Sequence, residues 1–304
     1  MKTSIIIPTY NRKDILIRCL QSIAEQTMLP HEVLVVDDGS TDGTGNELKG
    51  KHYPFALHYH FQKNAGPSRA RNKGISEARG DLLIFIGDDI LPSKGFTAAH
   101  LARHSAENSN RVVIGKTKWA EHLEISSFMK ILEKGIQFDF DALTEESISY
   151  KHCYTSNVSV QKIFLIQNNL FFNESFPYAA HEDIEWGYRM SLEKARFIYA
   201  PEALAYHDHW VDMESYKKRM FLSGKAYAYF CSLHPEICQT QKKKRGLLKK
   251  KMKAVVREYF LNHPRFHAFL HKLHLCPSEE KCIKSVLSYY EEKGIQEENA
   301  KISN

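Results

Sequence analysis

The feature that most constrains the fold of this 304-residue chain is an alternation of short apolar runs with amphipathic segments near its beginning. Largely apolar runs at 4–7, 32–37 and 81–86 predict strands that are buried on both faces. Between the first two runs, apolar residues recur at the spacing of an amphipathic helix, at Leu16, Cys19, Leu20 and Ile23. Strands that alternate with helices predict an α/β fold with a mostly parallel sheet covered by helices.

Weaker patterns continue as far as residue 211. Residues 56–61 predict a strand and residues 68–78 a helix with Ser68 at its N-cap. Further strands are expected at 112–114, 157–160 and 203–207, and further helices at 128–132 and 182–192. Because no repeat or low-complexity linker interrupts 1–211, we take it as one domain, followed by a region of basic amphipathic helices at 212–304.

Polar residues follow three of the predicted strands at the point where each strand ends. They are Thr9-Tyr10-Asn11, Asp37-Asp38-Gly39-Ser40 and Gly87-Asp88-Asp89. Ligands of open α/β sheets bind beyond the carboxyl ends of the strands, so these turns are expected to share one site. The first turn lacks a Gly-x-Gly-x-x-Gly motif, which argues against a dehydrogenase, and it also lacks a Walker A motif. Asp37-Asp38 fits a turn former or a nucleotide-binding carboxylate, and the pair alone favours the turn former.

Asp88 and Asp89 are the most specific of these residues. Two adjacent carboxylates that emerge from an apolar sheet repel each other, and a bound cation removes that repulsion. Proteins bind Mg²⁺ through one or two carboxylates together with substrate phosphates, so a site for a metal and a diphosphate is the favoured interpretation. The alternative is a helix cap before Leu91-Pro92.

Two other clusters have both a structural and a functional interpretation. Acids that open a helix, as in His181-Glu182-Asp183-Ile184-Glu185, complement the helix dipole, or one of them acts as a general base. The cluster His207-Asp208-His209 ends a predicted strand, where imidazole nitrogens could complete a cation site. The residues alone favour a structural role for these histidines.

Six stretches, in this order along the chain, resemble the motifs of the family 2 glycosyltransferases, inverting enzymes of GT-A fold. They are SIIIPTYNR at 4–12, VVDDGSTD at 35–42, NAGPSRARNKG at 64–74, DLLIFIGDDILP at 81–92, TSNVS at 155–159 and HEDIEWGYR at 181–189. The resemblance implies a GT-A-like, mostly parallel (mixed) sheet flanked by helices, with a C-terminal helical extension. Residues 1–105 would be the nucleotide-binding half and residues 106–211 the acceptor half.

The resemblance also implies which residues bind the donor, a nucleotide sugar. Thr9 and Asp38 would hold the base, and Arg71 with Asn72 would fix the nucleotide end. The residues expected to bind the nucleotide sugar are Pro8, Thr9, Tyr10, Asn11, Asp38, Arg71, Asn72 and Asp88.

Catalytic and metal-binding roles follow from the same resemblance. Asp183 corresponds to the catalytic base, with Glu182 beside it. Asp89 corresponds to the last acid of the family's Asp-x-Asp motif, and His207 to a histidine that often joins the metal site, so a divalent cation, Mn²⁺ or Mg²⁺, is expected. The chain departs from the family at Gly87, where the first Asp of Asp-x-Asp commonly stands.

These roles together predict an inverting transfer. The cation stabilises charge on the leaving diphosphate, and a carboxylate opposite accepts the proton of the acceptor hydroxyl. Because the sequence lacks the Gln-x-x-Arg-Trp motif and the membrane helices of processive members, we expect one sugar to be added to a glycan or lipid-linked acceptor in cell-surface polysaccharide or glycolipid synthesis. The alternative is a non-catalytic nucleotide-sugar or glycan-binding module.

Charge divides the chain into two parts. Residues 212–304 hold 19 basic and 10 acidic residues, and eight Lys or Arg without an acid fall within 242–253. Apolar residues repeat on one helical face there, at Leu248, Met252, Val255, Val256, Tyr259, Phe266, Phe269, Leu270 and Leu273. Residues 242–273 fit an anionic membrane surface as well as they fit solvated helices. No nucleic-acid partner is expected, since no binding module accompanies the charge.

Two features predict where the protein works. The three isoleucines before Pro8 are too few for a secretory signal, which needs roughly 7 to 15 apolar residues. The six cysteines form neither Cys-x-x-Cys nor a zinc spacing, which favours reduced thiols. We expect a cytoplasmic protein, with peripheral binding at the inner face of the membrane as the further possibility.

Overall fold

The computed structural model describes residues 1–104, 109–133, 137, 139–144, 146–237, 247–272 and 277–302. Several residues named above lie outside this description: Cys238, the basic residues of 242–246, Leu273, Cys276 and the side chains of Leu248, Phe266, Phe269 and Leu270. The chain divides into two compact units. The first is Met1–Ile125, Glu133–Ser175 and Glu182–Trp210, and the second is Ser126–Leu132, Phe176–His181 and Val211–Asn304.

The first unit is built on one mixed sheet, which has eight strands within the described residues. The strands are β1 Thr3–Thr9, β2 Glu32–Asp37, β3 Ala56–Phe61, β4 Leu82–Phe85, β5 Ile90–Pro92, β6 Arg111–Trp119, β7 Val158–Gln161 and β8 Arg196–His207. They lie in the order β3-β2-β1-β4-β7-β6-β8-β5. Strands β1 to β4 are parallel, β7 is antiparallel to β4 and β6, and β5 is antiparallel to β8.

Helices alternate with these strands along the chain, and further helices follow β8. In chain order they are α1 Lys13–Ala24, α2 Thr44–Leu48, α3 Pro67–Glu77, α4 Phe96–Ala102, α5 Ser127–Leu132, α6 Lys162–Gln167, α7 Glu182–Leu192, α8 Met213–Leu233, α9 Leu247–Asn262, α10 Pro264–Lys272 and α11 Glu279–Ile302. The four apolar residues that predicted α1 are all fully buried and belong to the same core as Ile5, Val33 and Ile84. Burial of this stripe stabilises α1 on the sheet.

Two details differ from the sequence-based expectations. Helix α3 begins at Pro67, and Gly66 rather than Ser68 is its N-cap. Gly66 has φ 92°, which favours glycine, and proline fits the first helical turn because its missing N–H needs no partner there. Asp88 and Asp89 precede strand β5, so the helix-cap interpretation of these acids is wrong.

In the second unit, helix α11 packs against α8 at a close crossing. A Cβ atom on Gly224 would lie 2.0 Å from the carbonyl oxygen of Glu291, and one on Gly294 would lie 2.0 Å from that of Phe221. Only glycine at both positions allows the two backbones to approach this closely. Among the described helices, none combines the length and the apolar character needed to cross a bilayer.

The cysteines agree only in part with the expectation of reduced thiols. Cys19, Cys153 and Cys282 are buried free thiols. Cys231, in α8, is disulfide-bonded, so the expectation is wrong at this position. The missing Cys-x-x-Cys spacing gave no sign of it, because a disulfide depends on the distance and direction of the two side chains and not on one spacing in the sequence.

Candidate active site

The predicted strand-end clusters meet in the first unit. Thr9 ends β1, Asp88 and Asp89 follow β4, and His207 ends β8. Thr9 Oγ1 donates to Asp88 Oδ2 at 2.8 Å, and His207 Nε2 lies 3.1 Å from Asp89 Oδ2. The sheet explains these contacts, because β1 pairs with β4 and β5 places Ile90 opposite His207.

Arg12, at the N-cap of α1, lies against both acids. Its Nη1 donates to Asp88 Oδ1 at 2.8 Å and to Asp89 Oδ2 at 3.0 Å, and its Nη2 lies 2.7 Å from His209 Nδ1. The sequence motifs gave no role to Arg12. The signal that could have found it is charge balance, because a pair of buried carboxylates needs a cationic partner within the fold or from solution.

The two acids ionise differently. Burial raises the pKa of Asp88 to about 6, with Arg12 opposing the rise and Asp89 adding to it. Burial also disfavours the charged form of Asp89, but His207, Arg12 and His209 outweigh it and hold the pKa of Asp89 well below its ordinary value. Asp89 is therefore the acid of this pair that stays ionised throughout the neutral range.

Gly87 leaves room for the observed position of Asp89. A Cβ atom at Gly87 would lie 2.7 Å from Asp89 Oδ1. An aspartate at this position, as in the common form of the family motif, would thus force the Asp89 carboxylate to move. The departure at Gly87 is coupled to where Asp89 points.

Asp208, next to His207, forms hydrogen bonds that hold the end of β8 in place. It accepts a hydrogen bond from Arg18 Nε at 2.6 Å and lies 2.8 Å from His122 Nε2, while its own N–H donates to the carbonyl oxygen of Asp89 at 2.7 Å. Of the His207-Asp208-His209 cluster, the aspartate is thus a structural residue and the two histidines face the acid pair.

Asp89 and His207 have side-chain atoms of the kind that bind a divalent metal ion. Asp89 and His207 offer carboxylate oxygen and imidazole nitrogen, which Mn²⁺ accepts readily. Within the described residues, however, no three His, Cys, Asp or Glu side chains are arranged to hold a metal ion. Arg12 contacts the same carboxylate oxygen that His207 faces. The side-chain atoms of Asp89 and His207 therefore suit a divalent metal ion, but Arg12 stands at the carboxylate oxygen that the ion would bind.

A second group of side chains surrounds Asp183 in the first turn of α7. Asp183 accepts hydrogen bonds from the N–H of Ile184 at 2.8 Å and of Thr155 at 3.3 Å. Burial, together with the charge of Glu182, raises the pKa of Asp183 to about 7, and Arg71 opposes the rise. A carboxyl group with a pKa near 7 exchanges protons at neutral pH, as a general base must.

Arg71 and Glu182 form a buried ion pair beside Asp183. Arg71 Nη1 donates to Glu182 Oε1 at 2.8 Å, and the guanidinium lies 5.4 Å from the ring centroid of Phe172. Arg71 Nε and Glu182 Oε2 are buried and have no hydrogen-bond partner within the described residues. Such atoms are uncommon in folded proteins, and here they occur next to a titratable carboxyl group.

The sheet brings both groups to one edge. Strand β7 is antiparallel to β4, with Val158 opposite Phe85. The start of β7, which Thr155 precedes, therefore adjoins the end of β4, which Asp88 and Asp89 follow. The predicted metal-binding acid follows one of these strand ends, and the predicted base, in α7, is hydrogen-bonded to Thr155 beside the other.

Asp38, predicted to hold the nucleotide base, accepts hydrogen bonds from other residues of the protein instead. Its Oδ1 accepts hydrogen bonds from Gln62 Nε2 at 2.8 Å and the N–H of Ala65 at 2.9 Å, and its Oδ2 accepts one from the N–H of Gly66 at 2.8 Å. The carboxylate thus fixes the segment that leads into α3.

The other predicted donor-binding residues, Pro8, Tyr10, Asn11 and Asn72, lie in different elements. Asn11, at φ 53°, accepts the N–H of Thr41 at 2.7 Å, and Tyr10 beside it is 49% exposed. Pro8 lies within β1. Asn72 bonds the backbone of Phe172 rather than either acid of the pair, and it lines a cavity of about 750 Å³ together with Arg69.

Solved structures resemble this fold over nearly the whole chain. The mannosyltransferase PcManGT from Pyrobaculum calidifontis, in complex with GDP-Man and Mn²⁺, gives a TM-score of 0.67 at 16% identity and covers 100% of this chain and 88% of that one. Residues 1–349 of S. aureus TarS, in complex with UDP, give 0.55 at 20% identity and cover 98% and 92%. The predicted GT-A-like fold is confirmed.

Sequence comparison identifies the family. The validoxylamine A glucosyltransferase of Streptomyces hygroscopicus subsp. limoneus is 28% identical over 222 residues, 62% of this chain and 47% of that protein. The chain spans only 13% to 54% of the length of these and other curated relatives that it matches. The family model described as glycosyl transferase family 2 matches residues 4–156, half of the chain. The chain therefore belongs to glycosyl transferase family 2.

Proposed function

We propose that this protein is an inverting, non-processive glycosyltransferase that moves one sugar from a nucleoside-diphosphate sugar to a hydroxyl group of a glycan or lipid-linked acceptor. The observation that carries the proposal is Asp183, a carboxyl group with a pKa of about 7 that accepts the N–H of Thr155, just before the strand β7 whose start adjoins the end of β4 and hence Asp88 and Asp89. Family membership supports the reaction class. Structural neighbours solved with GDP-Man and with UDP support a nucleotide-sugar donor.

Asp183 acts as the general base in this mechanism. It takes the proton of the acceptor hydroxyl as that oxygen attacks the anomeric carbon from the face opposite the leaving diphosphate, which inverts the configuration. The N–H groups of Thr155 and Ile184 hold the carboxylate in place. Glu182 acts with Arg71 as a positioning pair: the arginine compensates the charge of Glu182, which would otherwise raise the pKa of Asp183 further.

The donor end of the site is formed by strand-end turns. We propose that the turn Pro8 to Asn11 and Asp38 shape the nucleotide pocket, with Asp38 acting through the segment that it holds at 62–66. Asp89 and His207 would hold Mn²⁺ or Mg²⁺, which when bound stabilises the charge that develops on the leaving diphosphate. PcManGT was solved with Mn²⁺, which supports a metal in this fold.

A panel of nucleotide sugars tests the proposal. The full chain is incubated with UDP-, GDP- and dTDP-sugars and with glycan and lipid-linked acceptors, in Mn²⁺ or in EDTA, and the products are analysed by mass spectrometry and NMR. We expect one added sugar per acceptor, of inverted configuration, and a large loss of product in EDTA. Binding of a donor without release of any nucleoside diphosphate would instead support the alternative, a non-catalytic binding module.

We also propose that helix α9 binds an anionic membrane surface, which would place the protein at the inner face of the membrane. Met252, Val255, Val256 and Tyr259 form one face of α9 and are 64%, 57%, 54% and 52% exposed. Lysines at 249–251 and 253 interleave with them. Apolar side chains beside lysines are typical of helices that lie in the membrane interface, where each basic residue contributes about 1 kcal/mol.

The variant Val255→Asp/Val256→Asp is expected to lose membrane binding, because two carboxylates replace the apolar contact and repel anionic lipid. Co-sedimentation with vesicles of phosphatidylserine and phosphatidylcholine measures it, and wild-type binding should weaken as salt rises. Leu192→Asp, at an exposed apolar position of α7, is the matched control. Equal binding by the double variant, or by a chain without 242–304, would contradict the proposal.

A further inference from the structure

Arg12 and a metal ion would use the same carboxylate oxygen. Asp89 Oδ2 accepts the hydrogen bond from Arg12 Nη1 at 3.0 Å, and it is also the atom that His207 Nε2 faces at 3.1 Å. An ion held jointly by Asp89 and His207 must approach that oxygen. The guanidinium and the ion would then be like charges at contact distance, which repel each other.

Charge balance leads to the same conclusion. The side chains of Asp88 and Asp89 are only 6% and 13% exposed, and Arg12 bonds to both. A divalent cation would balance the two carboxylates by itself, so Arg12 beside it would leave an excess of positive charge. A diphosphate that arrives with the donor would remove this excess.

Arg12 can also move away from the two acids without breaking a helix cap. It stands at the N-cap of α1, where its side chain makes no capping hydrogen bond, and 29% of that side chain is exposed. Its long side chain can rotate to solvent or to an incoming phosphate without disturbing the helix. Its contacts within the site are to Asp88, Asp89 and His209.

We infer that Arg12 is the resident counter-ion of the Asp88 and Asp89 pair and competes with the divalent cation for Asp89, so that metal binding is weak until a diphosphate draws Arg12 away. The inference rests on the metal site of the proposed function. It adds a residue to which the family motifs gave no role, and it makes metal and donor bind cooperatively.

Titration of the full chain with Mn²⁺, followed by the EPR signal of free Mn²⁺, tests the competition without any sugar transfer. Without nucleotide, Arg12→Ala should bind Mn²⁺ roughly tenfold more tightly than the wild type, the effect of removing one partly exposed charge. Addition of UDP should tighten Mn²⁺ binding in the wild type and much less in the variant. Arg12→Gln, which keeps hydrogen-bond donors but no charge, should behave as Arg12→Ala does.

Arg18→Ala is the matched control, because Arg18 pairs with Asp208 and not with either acid of the pair. Its Mn²⁺ affinity should stay within about twofold of the wild-type value. Equal or weaker Mn²⁺ binding by both Arg12 variants, with circular dichroism showing that they fold, would overturn the inference. Mn²⁺ binding by neither the wild type nor the variants would overturn it as well, while the product assay decides separately whether sugar is transferred.

Discussion

Asp183→Asn is expected to lower the turnover number by about a thousandfold or more while leaving the protein folded. Asparagine has the shape of aspartate and can still accept the hydrogen bond from the N–H of Ile184, but it cannot take a proton from the acceptor. Release of the nucleoside diphosphate in the presence of acceptor, measured at saturating donor, gives the turnover number. The Michaelis constant of the donor should change little, because in the proposed mechanism Asp183 acts on the acceptor hydroxyl.

Glu193→Gln is the control for this experiment. It removes one negative charge from an exposed position just beyond α7 and should leave turnover near the wild-type value. Turnover of Asp183→Asn within a few-fold of the wild type would show that another group is the base, with Glu182 the next candidate.

Because the pKa of Asp183 is raised, Asp183→Asn should also change how the free energy of unfolding depends on pH. The folded pKa of about 7 lies above the unfolded value of about 3.9. The folded state therefore holds a proton that the unfolded state releases, and the free energy of unfolding falls as pH rises from about 4 to 7. Urea denaturation should find Asp183→Asn more stable than the wild type at pH 8, with the difference shrinking toward pH 5, whereas wild-type activity should rise with pH through about 7.

Helices and strands that have a regular local sequence pattern were predictable. Strands β2 and β3 and helix α7 have the bounds that the sequence indicates. All six residues of β2 are buried, so its apolar run marks the whole strand. Strands β6 and β8 extend beyond the predicted 112–114 and 203–207, because they pair with each other along their length. Long-range pairing of this kind leaves little trace in the local pattern.

The position of the site was predictable from topology, but the partners of its residues were not. Strand ends collect at one edge of a parallel sheet, so Thr9, Asp89 and His207 could be placed together from the sequence. The pairing of Arg71 with Glu182, 111 residues apart, depends on side-chain directions that spacing does not encode. For the same reason the sequence did not predict that the carboxylate of Asp38 accepts hydrogen bonds from the segment 62–66.

Asp89→Asn is the second variant with a large expected effect, at least about a hundredfold in transfer. The substitution removes the ionised acid that Arg12 and His207 both contact. Asp88→Asn should cost less, because the pKa of Asp88 is about 6 and that group is already protonated in part near pH 6. Initial rates of both variants at pH 6 and pH 8 measure the difference, and a larger loss for Asp88→Asn would reverse the assignment of the metal-binding acid.

Mn²⁺ affinity separates this role of Asp89 from a merely structural one. If Asp89 and Arg12 only hold each other in place, removing either side chain should loosen the same turn and weaken Mn²⁺ binding in both variants. If they are a ligand and its competitor, Asp89→Asn should weaken Mn²⁺ binding by at least about tenfold while Arg12→Ala strengthens it. Two side chains 3.0 Å apart would then have opposite effects on one equilibrium, which loss of local structure cannot produce.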